Sequence, residues 1–180
     1  MNDIIAPANI VVKGNDTDIL AVLIGNKHNL ENKHIWMEVG KFSNNSLRFI
    51  DVNLLVDNLG VELSKSLPAF HAFTGCDYSP AFVGKGKVRP FELLVKNPES
   101  QKAFSRLGSE DLDEELINEI QRYACKLYGN KQSNNINEVL LQNFFKTFNP
   151  KKNAESMLES LKACDDSSFP PCFRVYINTF

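Results

Sequence analysis

Apolar residues follow strand spacing only in the first third of this chain, at 9–13, 34–39 and 47–50; from Asp51 onward they follow helical spacing. A sheet built from so few short runs is small and must be covered by helices. The fold class expected is therefore α/β, with a short parallel or mixed sheet followed by a helical C-terminal region. The run Ile19-Leu20-Ala21-Val22-Leu23-Ile24 is apolar throughout, and periodicity leaves it open between a strand and a short helix. Asp51 is placed to cap a helix whose apolar face is Val52, Leu55, Val56 and Leu59, with Gly60 as its stop. A second helix is expected from about Glu62 to Thr74.

Beyond Gly108 two helices are expected, one with Leu116, Ile120, Tyr123, Ala124 and Leu127 on its buried face, the other with Leu140, Phe144, Phe145 and Phe148. Ser109-Glu110-Asp111 should open the first, its acids near the positive end of the helix dipole. Asn130 to Asn135 reads as the loop between the two, and Asn149-Pro150 as the stop of the second. A short helix over 154–163 and an extended Phe169-Pro170-Pro171-Cys172 complete the chain. The division expected is a first unit over 1–108 and a helical region over 109–180.

At 180 residues the chain is long enough to bury about two-thirds of its unfolded surface. With 43% hydrophobic and 23% charged residues it has a globular composition, and no apolar run approaches the ~20 residues needed to span a bilayer. The N-terminus lacks the basic start, apolar middle and cleavage site of a secretory signal, so an intracellular location is expected. Cys76, Cys125, Cys164 and Cys172 form no Cys-x-x-Cys pair and read as buried or free thiols, not zinc ligands. His28, His34 and His71 are scattered and read as surface or satisfied core residues. A net charge of −2 and a pI near 5.9 exclude a strongly basic nucleic-acid binder, so any such contact must be local.

Two segments concentrate chemistry. Gly14-Asn15-Asp16-Thr17-Asp18 sets two carboxylates at the end of the Ile10-Val11-Val12 run, where a strand delivers its side chains to a sheet edge. Clustered like charges ask for a cation, and oxygen-only ligands favour magnesium or manganese. The same pair can equally cap a helix. Within Gly75–Leu94, Asp77 is followed by Gly84-Lys85-Gly86 and a helix beginning near Lys87 with Val88, Phe91, Leu94 and Val95 on its buried face. Glycines let a phosphate approach the backbone, and the helix N-terminus with Lys85, Lys87 and Arg89 would attract it. Pro90 is tolerable in a first turn, where its missing amide has no helical partner. A plain surface turn is the competing reading.

Gly75-x-Asp77-Tyr78 followed by Gly84-x-Gly86 and an amphipathic helix resembles the helix–three-turn–helix segment of the flap endonuclease family, within the PIN-like nuclease superfamily. The order matches too, with an Asp-x-Asp after a core strand preceding that segment. The wording of the segment, Phe70-His71-Ala72-Phe73-Thr74-Gly75-Cys76-Asp77 above all, is closer still to invertebrate proteins of mobile-element type. The resemblance covers roughly 9–108, with the helix–three-turn–helix at about 62–96. It implies the C-terminal half of a PIN-like α/β sandwich, with Asp16, Asp18 and Asp77 as ligands for Mg2+ or Mn2+. It further implies that Gly84, Lys85, Gly86, Lys87 and Arg89 grip DNA, with K+ beside the Gly84–Gly86 turn. Members of the family carry further acids on a preceding N-terminal half, whereas this chain begins 15 residues before Asp16, and Lys85 stands where an apolar residue is usual. The expectation is thus a divergent or truncated structure-specific nuclease, a magnesium-dependent phosphodiesterase only when completed by missing acids, in the nucleus. The alternative is a noncatalytic module that binds DNA weakly and without sequence preference, or another protein.

Overall fold

The computed structural model of the chain describes residues 8–76, 82, 85–108 and 112–147. The expected helix over 154–163, the extended proline segment, Phe148, Cys164 and Cys172 lie outside them. Three strands, β1 (Ala8–Lys13), β2 (Lys33–Val39) and β3 (Arg48–Asp51), form one sheet in the order β1-β2-β3. β1 and β2 are parallel, with Ile10 opposite Ile35 and Val12 opposite Met37, whereas β3 runs antiparallel to β2 with Asp51 opposite Trp36. The protein is therefore α/β with a short mixed sheet and a helical region after it.

The open reading of 19–24 resolves to helix. α1 (Thr17–Asn26) is the crossover that a parallel strand pair requires, and Asp16 starts it by accepting a hydrogen bond from the Asp18 amide. Ala21, Ile24 and Gly25 are its buried residues. α2 (Val52–Leu59) is capped by Asp51, whose Oδ1 accepts from the Leu54 amide at 3.0 Å, and Gly60 ends it at φ +82°. Ile24 and Val52 pack with Ile35, Met37 and Val39 on one face of the sheet, and Leu55 and Val56 fill in at the margin. The alternate positions of the sheet point the other way, where Val11 and Phe49 are exposed. There Trp36 stacks on His34 with ring centroids 5.0 Å apart.

The remaining helices are α3 (Val61–Phe73), α4 (Val88–Val95), α5 (Pro98–Arg106), α6 (Glu114–Leu127) and α7 (Ile136–Thr147). They share an aromatic core in which Phe70, Phe73, Phe104 and Tyr123 meet edge to face at centroid distances of 5.1 to 6.4 Å. Residues from both sides of Gly108 enter this cluster, including Phe73, Leu94 and Phe104 before it and Leu116, Ile120 and Val139 after it. Leu59 and Leu67 touch both this cluster and the sheet-side one.

Three expectations about these helices are corrected, and one helix was not expected. α4 does not bury Val88 and Val95, which are 74% and 46% exposed; its buried residues are Pro90 and Leu94, with Phe91 partly covered. The reason is a tether from α6, where the Tyr123 hydroxyl donates to the Pro90 carbonyl at 2.7 Å and turns that side of α4 inward. α6 is opened by Asp113, whose Oδ1 accepts from the Leu116 amide, with Glu114 and Glu115 in its first turn; residues 109–111 lie outside the described ones. On α7, Ile136 and Val139 are buried whereas Phe145 is 66% exposed. α5 is absent from the elements expected above, although Pro98 stands in its first turn, a common helix start.

Candidate nucleic-acid interface

The carboxyl ends of β1 and β2 leave the sheet side by side, the customary place for sites in open parallel sheets. Two hydrogen bonds hold these exits together: the Gly14 amide donates to the Glu38 carbonyl at 3.0 Å, and the Gly40 amide donates to Asn15 Oδ1 at 2.6 Å. Asn15 is thereby the residue that sets the height of the next turn, on which Asp16 and Asp18 stand. Asp16 is exposed but commits Oδ1 to the α1 cap. Asp18 commits Oδ1 to His71 Nε2 at 2.5 Å, and the two side chains keep 31% and 18% of their surface.

His71, at the C-terminal end of α3, joins the two segments that carry chemistry. Its other ring nitrogen, Nδ1, lies 3.5 Å from Lys87 Nζ. A lysine ammonium has only protons to give. Nδ1 thus faces a donor, while Nε2 faces the acceptor carboxylate of Asp18. Asp18, His71 and Lys87 thus form a chain from the sheet edge to the start of α4. Sequence reasoning placed His71 among satisfied or surface histidines. No local sequence signal marks it, because its partners come from α1 and from the start of α4.

Among the described residues no group of three or more His, Cys, Asp and Glu side chains converges as a metal centre. Of the expected ligands only Asp16 and Asp18 are described, each with Oδ1 engaged by a backbone amide or an imidazole, and two carboxylates alone fall short of a magnesium cage. Asp77, the third expected ligand, lies outside the described residues, as does Gly84.

At the basic turn, Gly86 adopts φ +56°, and a Cβ there would meet nothing within 4 Å. The glycine is required by backbone conformation alone. The Lys85 amide closes the turn onto the Phe82 carbonyl at 3.2 Å. Lys87 occupies the N-cap of α4 with no side-chain capping bond, so the first-turn amides of Val88 and Arg89 retain donors for an outside acceptor. Lys87 and Arg89 are exposed, whereas the Lys85 ammonium lies over the Tyr128 ring, 4.4 Å from its centroid. Tyr128, from the C-terminal end of α6, was not foreseen as part of this surface. It also shows what occupies Lys85 in place of core packing.

No protein-family model matches the chain, and no curated protein or solved structure matches it significantly. No helix among the described residues is long and apolar enough to cross a membrane.

Proposed function

We propose that this chain is a nuclease-like module of the flap endonuclease type that grips a DNA phosphate backbone, weakly and without sequence preference, and cleaves little or nothing by itself. What supports this is the turn before α4: a left-handed Gly86, an N-terminus without a side-chain cap, and Lys85, Lys87 and Arg89 within five consecutive positions. Such a start offers backbone donors, a favourable dipole and cations to one anion at a time, and it reads phosphate but no base. A nuclear location and K+ at the Gly84–Gly86 turn belong to this same proposal.

Binding is tested with a labelled DNA duplex across a salt series. Three phosphate contacts give a slope of about −2.7, a loss of roughly forty-fold between about 50 and 200 mM salt. The Lys85→Glu, Lys87→Glu double variant should abolish most of it. Duplex affinity unmoved by that variant overturns the grip.

A second reading, a Mg2+- or Mn2+-dependent phosphodiesterase, is favoured by the placement of Asp16 and Asp18 at the carboxyl edge of the parallel pair. Further acids, Asp77 among them, would have to complete the metal site, because magnesium holds its water tightly unless several ligands act together. Incubation with flapped and branched duplexes in either metal should yield little or no product. Robust cutting that Asp77→Ala removes would establish the enzyme instead.

A further inference from the structure

The aromatic ring under Lys85 is also a wall of an open cavity of about 380 Å3 between the end of α6 and α7. Among the described residues, Lys131, Gln132, Gln142, Asn143 and Lys146 line it along with Tyr128, and none of the described lining residues is a carboxylate. Side-chain amides and ammonium groups without an acid among them suit a ligand with anionic and hydrogen-bonding oxygens. Neither lysine forms an ion pair among the described residues, and both are exposed. The floor is held in shape by local bonds: Asn130 Oδ1 accepts from the amides of Gln132 and Ser133 at 2.9 Å each, and Asn143 Nδ2 donates to the Tyr128 carbonyl at 3.3 Å.

We infer that this cavity is a second phosphodiester-binding site, continuous with the α4 corner through Lys85 and Tyr128, so that one nucleic-acid backbone is held by Lys85, Lys87, Arg89, Lys131 and Lys146 together. The proposal rests on the backbone grip proposed above and extends it from a turn to a track. Net charge across the whole chain is −2, so a run of cations facing one path is a local arrangement and not a by-product of composition. The amides of Gln132 and Gln142 add oxygen-directed hydrogen bonds that select no base, in keeping with a ligand read by its backbone.

The test is the salt dependence of duplex binding for the full chain and two neutralised variants. Five phosphate contacts give a slope of about −4.5 and a loss of roughly five-hundred-fold between about 50 and 200 mM salt. Lys131→Gln with Lys146→Gln, both exposed, should lower the slope to about −2.7, leave helical circular dichroism unchanged and spare the effect of Lys85→Gln with Lys87→Gln. A slope near −2.7 in the unaltered chain, insensitive to the α7-side pair but sensitive to the corner pair, overturns the track while leaving the first site standing. Absence of duplex binding in every form overturns both.

Discussion

Gly25 shows how much a single atom decides. It is buried where α1 crosses α3, and a Cβ built on it would overlap the ring of Pro68 and come within 3.4 Å of the Ser64 carbonyl. That carbonyl is the one whose helical partner a proline at 68 cannot supply, so the glycine permits α1 to sit against an interrupted turn of α3. Gly25→Ala should cost about 1–3 kcal/mol in chemical denaturation, as overpacking does. Adding Pro68→Ala should recover part of that loss, a coupling that two unrelated defects would not display. Gly86 is the opposite case, with open space around it but a positive φ. Gly86→Ala should therefore weaken duplex binding by distorting the turn, at a conformational cost of about 1–2 kcal/mol, while thermal unfolding of the core changes little. At this scale the place of Asp16 and Asp18 just after β1 and the turn at Gly86 before α4 were legible from residue type and spacing. His71 was not, because its role depends on α1, α3 and α4 converging, which no local pattern encodes.

Two of the packed helices, α2 and α6, are started by the carboxylates Asp51 and Asp113, and this gives them a response to acid. The Leu116 amide, aided by the Arg106 guanidinium, holds the Asp113 carboxyl below its ordinary value of 3.8, and the Leu54 amide, with His34 at 3.1 Å, does the same for Asp51. Both groups are depressed in the folded state, so the native form binds fewer protons than the unfolded chain. Their contribution is fully present above about pH 4 and is lost as the pH falls through the lowered folded values. Denaturant midpoints measured from pH 5 to pH 2 should fall, and Asp51→Asn with Asp113→Asn, which keeps an oxygen at each cap, should flatten that decline. A decline of unchanged steepness would place the acid sensitivity elsewhere. Strand positions, α2, α3 and the buried face of α6 were readable because their spacing agrees with their burial. The face of α4 was misread because Val88 is apolar yet exposed, and the deciding contact is a phenol on α6, thirty-three positions away.

Across the molecule, the aromatic cluster binds segments that composition alone would separate at Gly108. Phe104, fully buried, touches Phe70, Phe73 and Tyr123, so truncation of the chain at 108 strips a wall from the core and not an appendage. The fragment ending there should bind hydrophobic dyes and lack a cooperative thermal transition, whereas Phe104→Ala in the full chain should remain folded at a cost of about 3–5 kcal/mol. A sharply melting, dye-free fragment would refute this. The Tyr123 hydroxyl lies within this cluster, and burial pushes its ionisation well above the usual phenol range. Sequence periodicity identified Tyr123 on the buried face of α6 but not Phe70, Phe73 or Phe104, nor that one core would gather them, since association across so long a separation is a property of topology.

The lone tryptophan, Trp36, stacks on His34 in the central strand, remote in sequence and in cluster from the helical aromatics. Its emission is consequently an optical reporter of the β layer, while tyrosine ellipticity in the near ultraviolet senses the helices. With Leu59 and Leu67 wedged between both, the two signals should change in step on heating, and the interval between them measures how firmly those leucines couple one half to the other.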